Sequence, residues 1–312
     1  MLVDAHTHVV PAYSGQRGGM RIHAAGYGKL FRSERGDWRP GAKRGVYRAM
    51  PPSFESCTVS PALLLEYLDW AGIDRAVLMQ APMYGEINEY VASVVEQYPD
   101  KFVGMALVDP RSPSALDELR FVAGLGLKGV KIEVPDTPFW IDDDAYAPYW
   151  AEMEALALIL SIDLGWDPME NPYNFQIDRL ERVVARHPDL NVVLVHLGVS
   201  GLWREDEVAP YPRLQQTLSL VKYPKTVFEL SGLPEFAEWE EYPYPRAQDI
   251  VRAVAEVVPA DRIMWGSDFP GILPYCSYLQ TLDLVRRNCS FFSADDMANV
   301  LGGTAARLFQ LA

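Results

Sequence analysis

Residues 177–196, IDRLERVVARHPDLNVVLVH, contain one unit of a repeating pattern. Apolar residues spaced three and four apart predict a helix over Ile177–His187. After a break at the following proline, β-branched and apolar residues predict a strand over Asn191–His196. The same order, a helix and then a short apolar strand, recurs on both sides of this stretch.

Eight such strands are predicted along the chain, and helical patterns lie between most of them. The strands are Leu2–Ala5, Arg75–Gln80, Phe102–Val108, Gly129–Val134, Leu158–Asp163, Asn191–His196, Thr226–Ser231 and Arg262–Gly266. The helices include Pro61–Ala71, Pro113–Ala123 and Tyr146–Ala157. Strands that alternate with helices form a parallel sheet, and eight units close as a barrel. We therefore predict an α/β fold, a TIM (β/α)8 barrel, in a single domain over residues 1–312.

Residues 11–60 do not follow this repeat. The segment is rich in Gly, Arg, Tyr and Pro, and it is too long to be a simple connection in a compact domain. We expect a long loop inserted after the first strand, with room for a hairpin, folded as a lid over one mouth of the barrel. Residues 1–50 carry a net charge of +6, whereas the remaining residues carry −20.

Composition excludes several classes of protein. The chain has 312 residues, is 49% hydrophobic and has a net charge of −14, which argues against nucleic acid and anionic membranes as partners. Its apolar runs are far shorter than the roughly 20 residues that span a bilayer, and its start lacks the features of a signal peptide. Three scattered cysteines fit a reducing compartment. We therefore expect a cytoplasmic protein.

Histidines and one aspartate collect at the ends of the predicted strands. His6 and His8 lie on the first strand, His196 ends the sixth, and Asp268 follows the eighth. Active sites of such barrels lie at the C-terminal ends of the strands, and residues two apart on a strand point to the same side. The eighth strand neighbours the first in a closed barrel, so Asp268 should lie beside the histidine pair. Two imidazoles and a carboxylate suit a divalent metal.

These residues resemble motifs of a known family. The sequence resembles the amidohydrolase superfamily and, more narrowly, the group related to aminocarboxymuconate-semialdehyde decarboxylase. The similar segments are Asp4-Ala-His-Thr-His8, Leu194-Val-His-Leu-Gly198, Gly266-Ser-Asp-Phe-Pro270 and the closing Asn299–Phe309. The resemblance implies that His6 and His8 are metal ligands, that Asp268 is a third ligand and a base, and that His196 is catalytic. The group is commonly dimeric, so a homodimer is also implied.

The fifth strand departs from that pattern. Metal-dependent members usually offer a histidine there, whereas this chain has Asp163. Trp166 follows it, and we expect Trp166 at the barrel mouth as a candidate contact for the substrate. One possibility is that Asp163 is itself a ligand, in a set that suits zinc first and manganese or iron second. The alternative, which we rank second, is a metal-free site whose His and Asp side chains contact the substrate directly.

Several cationic side chains are candidate contacts for the substrate. Lys131 shares one strand face with Glu133, so it could bind a substrate carboxylate or form a buried ion pair. Arg48 belongs to the basic insertion, and Arg204 lies in an irregular stretch after the sixth strand. Guanidinium groups bind carboxylates with two parallel hydrogen bonds. We therefore expect a small anionic substrate.

Three functions remain open from the sequence. The first is a metal-dependent hydrolase that acts on a lactone or amide through an activated water. The second is a metal-dependent decarboxylase of an aromatic or muconate-type acid, and the third is a barrel that only binds a ligand. We favour the hydrolase, because the change at Asp163 weakens the ligand set on which the decarboxylases rely.

Overall fold

The computed structural model describes residues 1–17, 20–32, 45–165, 171–198, 208–236 and 240–311. The strands are β1 (Val3–Thr7), β2 (Gln16–Arg17), β3 (Met20–Gly26), β4 (Lys29–Arg32), β5 (Gly45–Arg48), β6 (Arg75–Leu78), β7 (Phe102–Gly104), β8 (Gly129–Glu133), β9 (Ile159–Asp163), β10 (Val192–Leu194), β11 (Thr226–Leu230) and β12 (Ile263–Trp265). The helices are α1 (Pro61–Ala71), α2 (Asn88–Gln97), α3 (Ala115–Gly124), α4 (Ala147–Ala155), α5 (Ile177–Arg186), α6 (Pro212–Leu218), α7 (Leu233–Phe236), α8 (Pro245–Ala255), α9 (Tyr278–Arg286), α10 (Ala294–Ala298) and α11 (Thr304–Phe309).

Eight parallel strands form the barrel, and each falls on a strand that the sequence predicts. They are arranged as β1-β6-β7 and as β12-β11-β10-β9-β8. At one seam the Ala106 NH donates to the Gly129 carbonyl at 2.7 Å. At the other seam the Asp268 NH donates to the His6 carbonyl at 2.9 Å. Parallel bridges therefore join the two sheets on both sides, and the predicted TIM-barrel fold is confirmed.

The barrel interior is apolar at one end and polar at the other. Val3, Val193 and Val227 belong to a buried cluster inside the barrel, and Phe309 of α11 packs into the same cluster. Residues further along the same strand faces are polar, among them Glu229, which lies two positions after Val227. The polar end is formed by the C-terminal ends of the strands.

An irregularity in β1 directs the two histidines into the barrel. The pairing of β1 with β6 shifts register between Asp4 and Thr7, as expected for a β-bulge. Ala5 packs in the interior cluster, while Asp4 accepts a hydrogen bond from the Tyr278 hydroxyl of the outer helix α9 at 2.7 Å. After the bulge, His6 contacts interior residues instead of the helices. Consecutive residues Ala5 and His6 therefore face the same side.

The insertion contains more structure than the loop with room for a hairpin that the sequence led us to expect. Strands β2, β3, β4 and β5 form an antiparallel sheet in that order. Buried Met20 and Ile22 alternate with exposed Arg21 and His23 on β3, so one face of the sheet packs on the body of the protein. The alternation is short and interrupted by glycines, which hides it in the sequence. The proposed domain boundaries 11–60 stay a prediction.

Helix boundaries follow local signals in the sequence. Helix α1 spans the predicted Pro61–Ala71: the Ser60 side chain accepts a hydrogen bond from the Leu63 NH, and Gly72 ends the helix at φ +71°. In the part of the chain that the structure describes, no helix is long and apolar enough to cross a membrane.

Candidate active site

A cavity of about 260 Å³ lies at the C-terminal ends of the barrel strands. The barrel lines it with polar side chains, which include His8, Lys131, Glu133, Asp163, His196, Glu235 and Asp268. The inserted sheet and its flanks line it with Tyr13, Arg17, Arg32, Tyr47 and Arg48. The barrel residues therefore form the floor of the cavity, and the residues of the insertion form its cover.

The structure brings His6, His8 and Asp268 together at this floor. Asp268 Oδ1 lies 3.3 Å from His8 Nε2 and 3.6 Å from His6 Nε2. Gly266 permits this approach, because a Cβ atom on it would lie 2.6 Å from the Cβ of His6. One ligand atom from each of the three residues lies within 4.8 Å of the others, so the group could hold a metal ion.

The donor set and its supporting contacts fit a divalent metal. A four-coordinate zinc with bonds of about 2.0–2.1 Å separates its ligand atoms by about 3.3 Å, close to the two distances above. His6 Nδ1 bonds Glu229 Oε1 at 2.7 Å, and His8 Nδ1 bonds the Met79 carbonyl at 3.0 Å. Both contacts assign the proton to Nδ1 and leave Nε2 as the ligand nitrogen, as in many metal sites. Burial lowers the pKa of His8 to about 4, which keeps this imidazole neutral.

Asp268 remains ionised at this floor. Burial disfavours its charge, but the adjacent imidazoles of His8, His6 and His196 hold its pKa well below the usual range. Its backbone adopts φ +63°, a left-handed conformation that aspartate and asparagine tolerate better than most residues. The carboxylate is therefore a permanent hydrogen-bond acceptor and a candidate anionic ligand.

His196 is linked to His6 through a buried chain of hydrogen bonds. Strand β10 ends at Leu194, and His196 follows it in a left-handed turn at φ +51°. The Ser231 hydroxyl lies 2.7 Å from His196 Nδ1 and donates to Glu229 Oε1, the oxygen that also binds His6. The His196 and His6 rings stack with their centroids 5.1 Å apart. Glu229 therefore orients His6 directly and His196 through Ser231.

Lys131 occupies the interior face that we considered for it. Its Nζ donates to Glu133 Oε1 at 2.9 Å and lies 3.5 Å from His6 Nε2. Burial alone would lower its pKa, but the carboxylates of Glu133, Asp268 and Asp163 raise it, so the ammonium is charged. The side chain is thus both a member of an ion pair and a cation beside the candidate metal ligands.

The other predicted contacts have different positions. Asp163 lines the cavity and accepts a hydrogen bond from the Gly165 NH at 2.8 Å, but it is not in the group of His6, His8 and Asp268. Arg48 lines the cavity and donates to the carbonyls of Tyr27 and Met50. Trp166 and Arg204 lie outside the described residues. The roles of these four residues stay predictions.

Two acidic residues of the site were not identified from the sequence. Glu229 lies on the interior face of β11, where its position two residues after Val227 in an otherwise apolar strand was the available signal. Glu235 lines the cavity from the short helix α7, and the Tyr275 hydroxyl donates to its Oε1 at 3.3 Å. Nothing in the local sequence distinguishes Glu235 from an exposed glutamate.

The environment of Glu235 makes stability depend on pH. Burial and the charge of Asp268 raise its pKa to about 7, from an ordinary value of 4.5. The folded state therefore holds a proton that the unfolded state loses, so this group's contribution to stability falls as the pH rises from about 4.5 to 7. We expect Glu235→Gln to raise the free energy of unfolding by about 1–3 kcal/mol at pH 8, with little effect at pH 4.5.

Urea denaturation of both proteins at the two pH values measures this difference. Glu96→Gln, a change at an exposed glutamate of α2, is the matched control and should show no such dependence. An equal effect of Glu235→Gln at pH 4.5 and pH 8 would contradict the raised pKa.

The barrel and its cluster of two histidines and an aspartate define a class of protein. The model of the amidohydrolase family matches residues 3–311, so the chain belongs to this family. The resemblance found in the sequence is thereby confirmed.

Similar proteins fall into two enzyme groups. The chain is 25% identical over 303 residues to L-fucono-1,5-lactonase of Burkholderia ambifaria, which covers 93% of this chain and 96% of that protein. It is 24% identical over 257 residues to gamma-resorcylate decarboxylase of a Rhizobium species, with 66% and 75% covered. The expectation of an enzyme of this superfamily is confirmed, and both the hydrolase and the decarboxylase interpretations have named relatives.

The fold is also found in solved structures. A zinc-bound amidohydrolase of Burkholderia multivorans superposes with a TM-score of 0.74 and 21% sequence identity, over 100% of both chains. This similarity extends to the whole chain, including the segment that carries the inserted sheet.

Proposed function

We propose that this protein hydrolyses a small anionic lactone, with a divalent metal held by His6, His8 and Asp268. The observation that carries the proposal is the convergence of Asp268 Oδ1 with His6 Nε2 and His8 Nε2 at the floor of the cavity. Similarity to a lactonase over 93% of the chain supports a lactone in preference to an amide. Two imidazoles and a carboxylate favour zinc, with manganese or iron as alternatives. A cytoplasmic homodimer, as expected from the sequence, is part of the same proposal.

The side chains of the floor can manage the protons of lactone hydrolysis. A divalent metal at this site would supply a Lewis acid for the carbonyl and lower the pKa of water. Asp268 accepts the proton of the attacking water as the water oxygen bonds to the carbonyl carbon. His196, whose Nδ1 is engaged by Ser231, takes this proton from Asp268 on Nε2 and delivers it to the ring oxygen when its bond to that carbon breaks. The product is a hydroxy acid.

The test combines metal analysis with two activity assays. We expect about one equivalent of metal in the purified protein by mass spectrometry, and acid release in a pH-stat from 6-oxotetrahydropyran-2-carboxylate, an anionic lactone, with neutral L-fucono-1,5-lactone assayed beside it. Similarity to gamma-resorcylate decarboxylase supports decarboxylation as the second candidate. Release of carbon dioxide from 2,6-dihydroxybenzoate, with no lactone hydrolysed, would overturn the proposal in favour of that activity.

Lys131 should weaken metal binding. At an effective dielectric constant of about 20, a single and a double positive charge about 5 Å apart repel by several kcal/mol. Because the paired carboxylate of Glu133 offsets most of this repulsion, we expect Lys131→Met to tighten zinc binding by about 10- to 100-fold, measured by competition with a chromogenic chelator. Lys225→Met, at an exposed lysine, is the control and should leave the affinity unchanged. Equal affinities of wild type and Lys131→Met would show that the ammonium does not oppose the metal.

A further inference from the structure

We propose that Arg17, Arg32 and Tyr47 of the insertion form a binding site for a carboxylate of the substrate. This inference rests on the proposed function for the identity of the reacting group. It adds the class of substrate, which is a lactone that carries a carboxylate on its ring. The insertion binds this carboxylate while the lactone carbonyl lies at the floor of the cavity.

Among the described residues, neither guanidinium group has a close anionic partner. Both line the cavity, and in the part of the chain that the structure describes neither has a carboxylate oxygen within 4 Å or a hydrogen bond. Arginines on the outside of the barrel are paired instead, such as Arg111 with Asp109 at 2.7 Å and Arg286 with Asp283 at 2.6 Å. A guanidinium without an anion beside a cavity is suited to an anionic ligand.

Two buried polar atoms at this place also lack a hydrogen bond. They are Arg32 Nε and the Tyr47 hydroxyl, and neither has a partner among the described residues. A buried donor without a partner costs about 1–3 kcal/mol. Because both atoms belong to side chains that line the cavity, oxygen atoms of one bound carboxylate would satisfy them together.

The sheet holds these side chains in place. Leu30 of β4 pairs with Tyr47 of β5, and Arg32 follows Leu30 by two residues, so Arg32 and Tyr47 are on one face. The Arg32 guanidinium lies over the Tyr47 ring, 4.8 Å from its centroid. This contact between a cation and an aromatic ring orients the guanidinium before a ligand binds.

Fixed carboxylates near the cavity act on Arg17 only at a distance: Asp136, Glu133 and Glu235 raise the pKa of its guanidinium, but none of them forms an ion pair with it among the described residues. Glu133 also lines the cavity, but Lys131 Nζ lies 2.9 Å from its carboxylate and neutralises it. Arg48, which we predicted as a substrate contact, donates hydrogen bonds to two backbone carbonyls of the insertion and so also stabilises the insertion. Arg17 and Arg32 are therefore the better candidates for a carboxylate.

The first experiment measures binding without hydrolysis. Adipate has one carboxylate for the cover and one for the floor, and it is titrated into the metal-loaded protein by calorimetry. We expect Arg32→Gln and Arg17→Gln each to weaken adipate binding by about 10- to 100-fold, the loss of a hydrogen bond to a charged group. Tyr47→Phe, which removes one hydroxyl, should weaken binding by about 3- to 10-fold. Arg21→Gln, at an exposed arginine of β3, is the matched control and should bind as wild type does.

Several results would overturn the inference. One is that the wild type does not bind adipate. Another is that wild type, Arg17→Gln and Arg32→Gln bind adipate equally. The third is that inorganic phosphate binds more tightly than adipate at the same arginines. Thermal melting of each variant establishes whether it is folded. If an arginine variant does not fold, Tyr47→Phe still tests the inference.

The second experiment separates this inference from the proposed function. We expect kcat/KM for 6-oxotetrahydropyran-2-carboxylate to exceed that for δ-valerolactone, and Arg32→Gln to remove the difference mainly through KM. Equal kcat/KM for the two lactones would overturn the carboxylate site and leave the lactonase intact. Arginine-dependent binding of adipate without hydrolysis of any lactone would overturn the lactonase and leave the carboxylate site intact.

Discussion

Asp268→Asn is expected to reduce kcat for the proposed lactone hydrolysis by at least about 10³-fold, because it removes the carboxylate that we propose as both an anionic metal ligand and the proton acceptor for water. The change is small in shape, and asparagine tolerates the left-handed backbone at φ +63° as aspartate does. The loss therefore reports the charge of Asp268 and not a disturbed fold. Bound metal, measured by mass spectrometry, should fall together with activity.

Asp249→Asn, at an exposed aspartate of α8, is the matched control and should keep full activity and metal. Retained hydrolysis by Asp268→Asn at more than about a tenth of the wild-type rate would exclude Asp268 as the base. Loss of activity with metal content unchanged would assign the effect to proton transfer alone.

Glu229→Gln should have the second-largest effect, although Glu229 does not reach the cavity lining. Its carboxylate binds His6 Nδ1 at 2.7 Å and also accepts from Ser231, which contacts His196. Burial disfavours the charge, but His6, His196 and Ser231 lower its pKa, so Glu229 is ionised. Loss of such an outer carboxylate makes a histidine ligand less basic, and we expect metal affinity or activity to fall by about 10- to 100-fold.

Competition with a chelator gives the metal dissociation constant of this variant, and initial rates give kcat. Glu154→Gln provides a matched control, since Glu154 Oε2 lies 3.2 Å from Nδ1 of His187, away from the cavity. Metal affinity and kcat that both match the wild type would show that Glu229 supports the fold only.

The barrel could be predicted because its strands are short apolar runs whose order alone specifies parallel pairing. Asp268 was expected beside His6 for the same reason: closure makes the eighth strand a neighbour of the first, and the Asp268 NH donates to the His6 carbonyl. Local spacing was less informative on β1. Residues two apart were expected to share a face, which holds for His6 and His8, but the bulge that turns them away from Asp4 leaves no signal in composition.

Other parts of the site depend on contacts between distant segments. Glu229 binds a histidine 223 positions away, and its alternation with Val227 shows only that it faces inward. Burial raises the pKa of Glu235, but its helix has only four residues, so the sequence shows no periodic pattern from which that burial could be predicted. The inserted sheet was missed because its strands are brief and because arginines and glycines interrupt their apolar positions.

The inserted sheet is fastened to the barrel by a few backbone and side-chain bonds, such as Gly15 NH to the Met83 carbonyl and the Ser14 hydroxyl to the Tyr84 carbonyl. None of the candidate metal ligands His6, His8 and Asp268 belongs to it, and neither does Glu229 behind them. Libraries of variants confined to the insertion should therefore change which substrates bind and leave the proposed catalytic residues unchanged. Under the proposed function, substrate recognition by the insertion and catalysis by the barrel can therefore change independently during evolution.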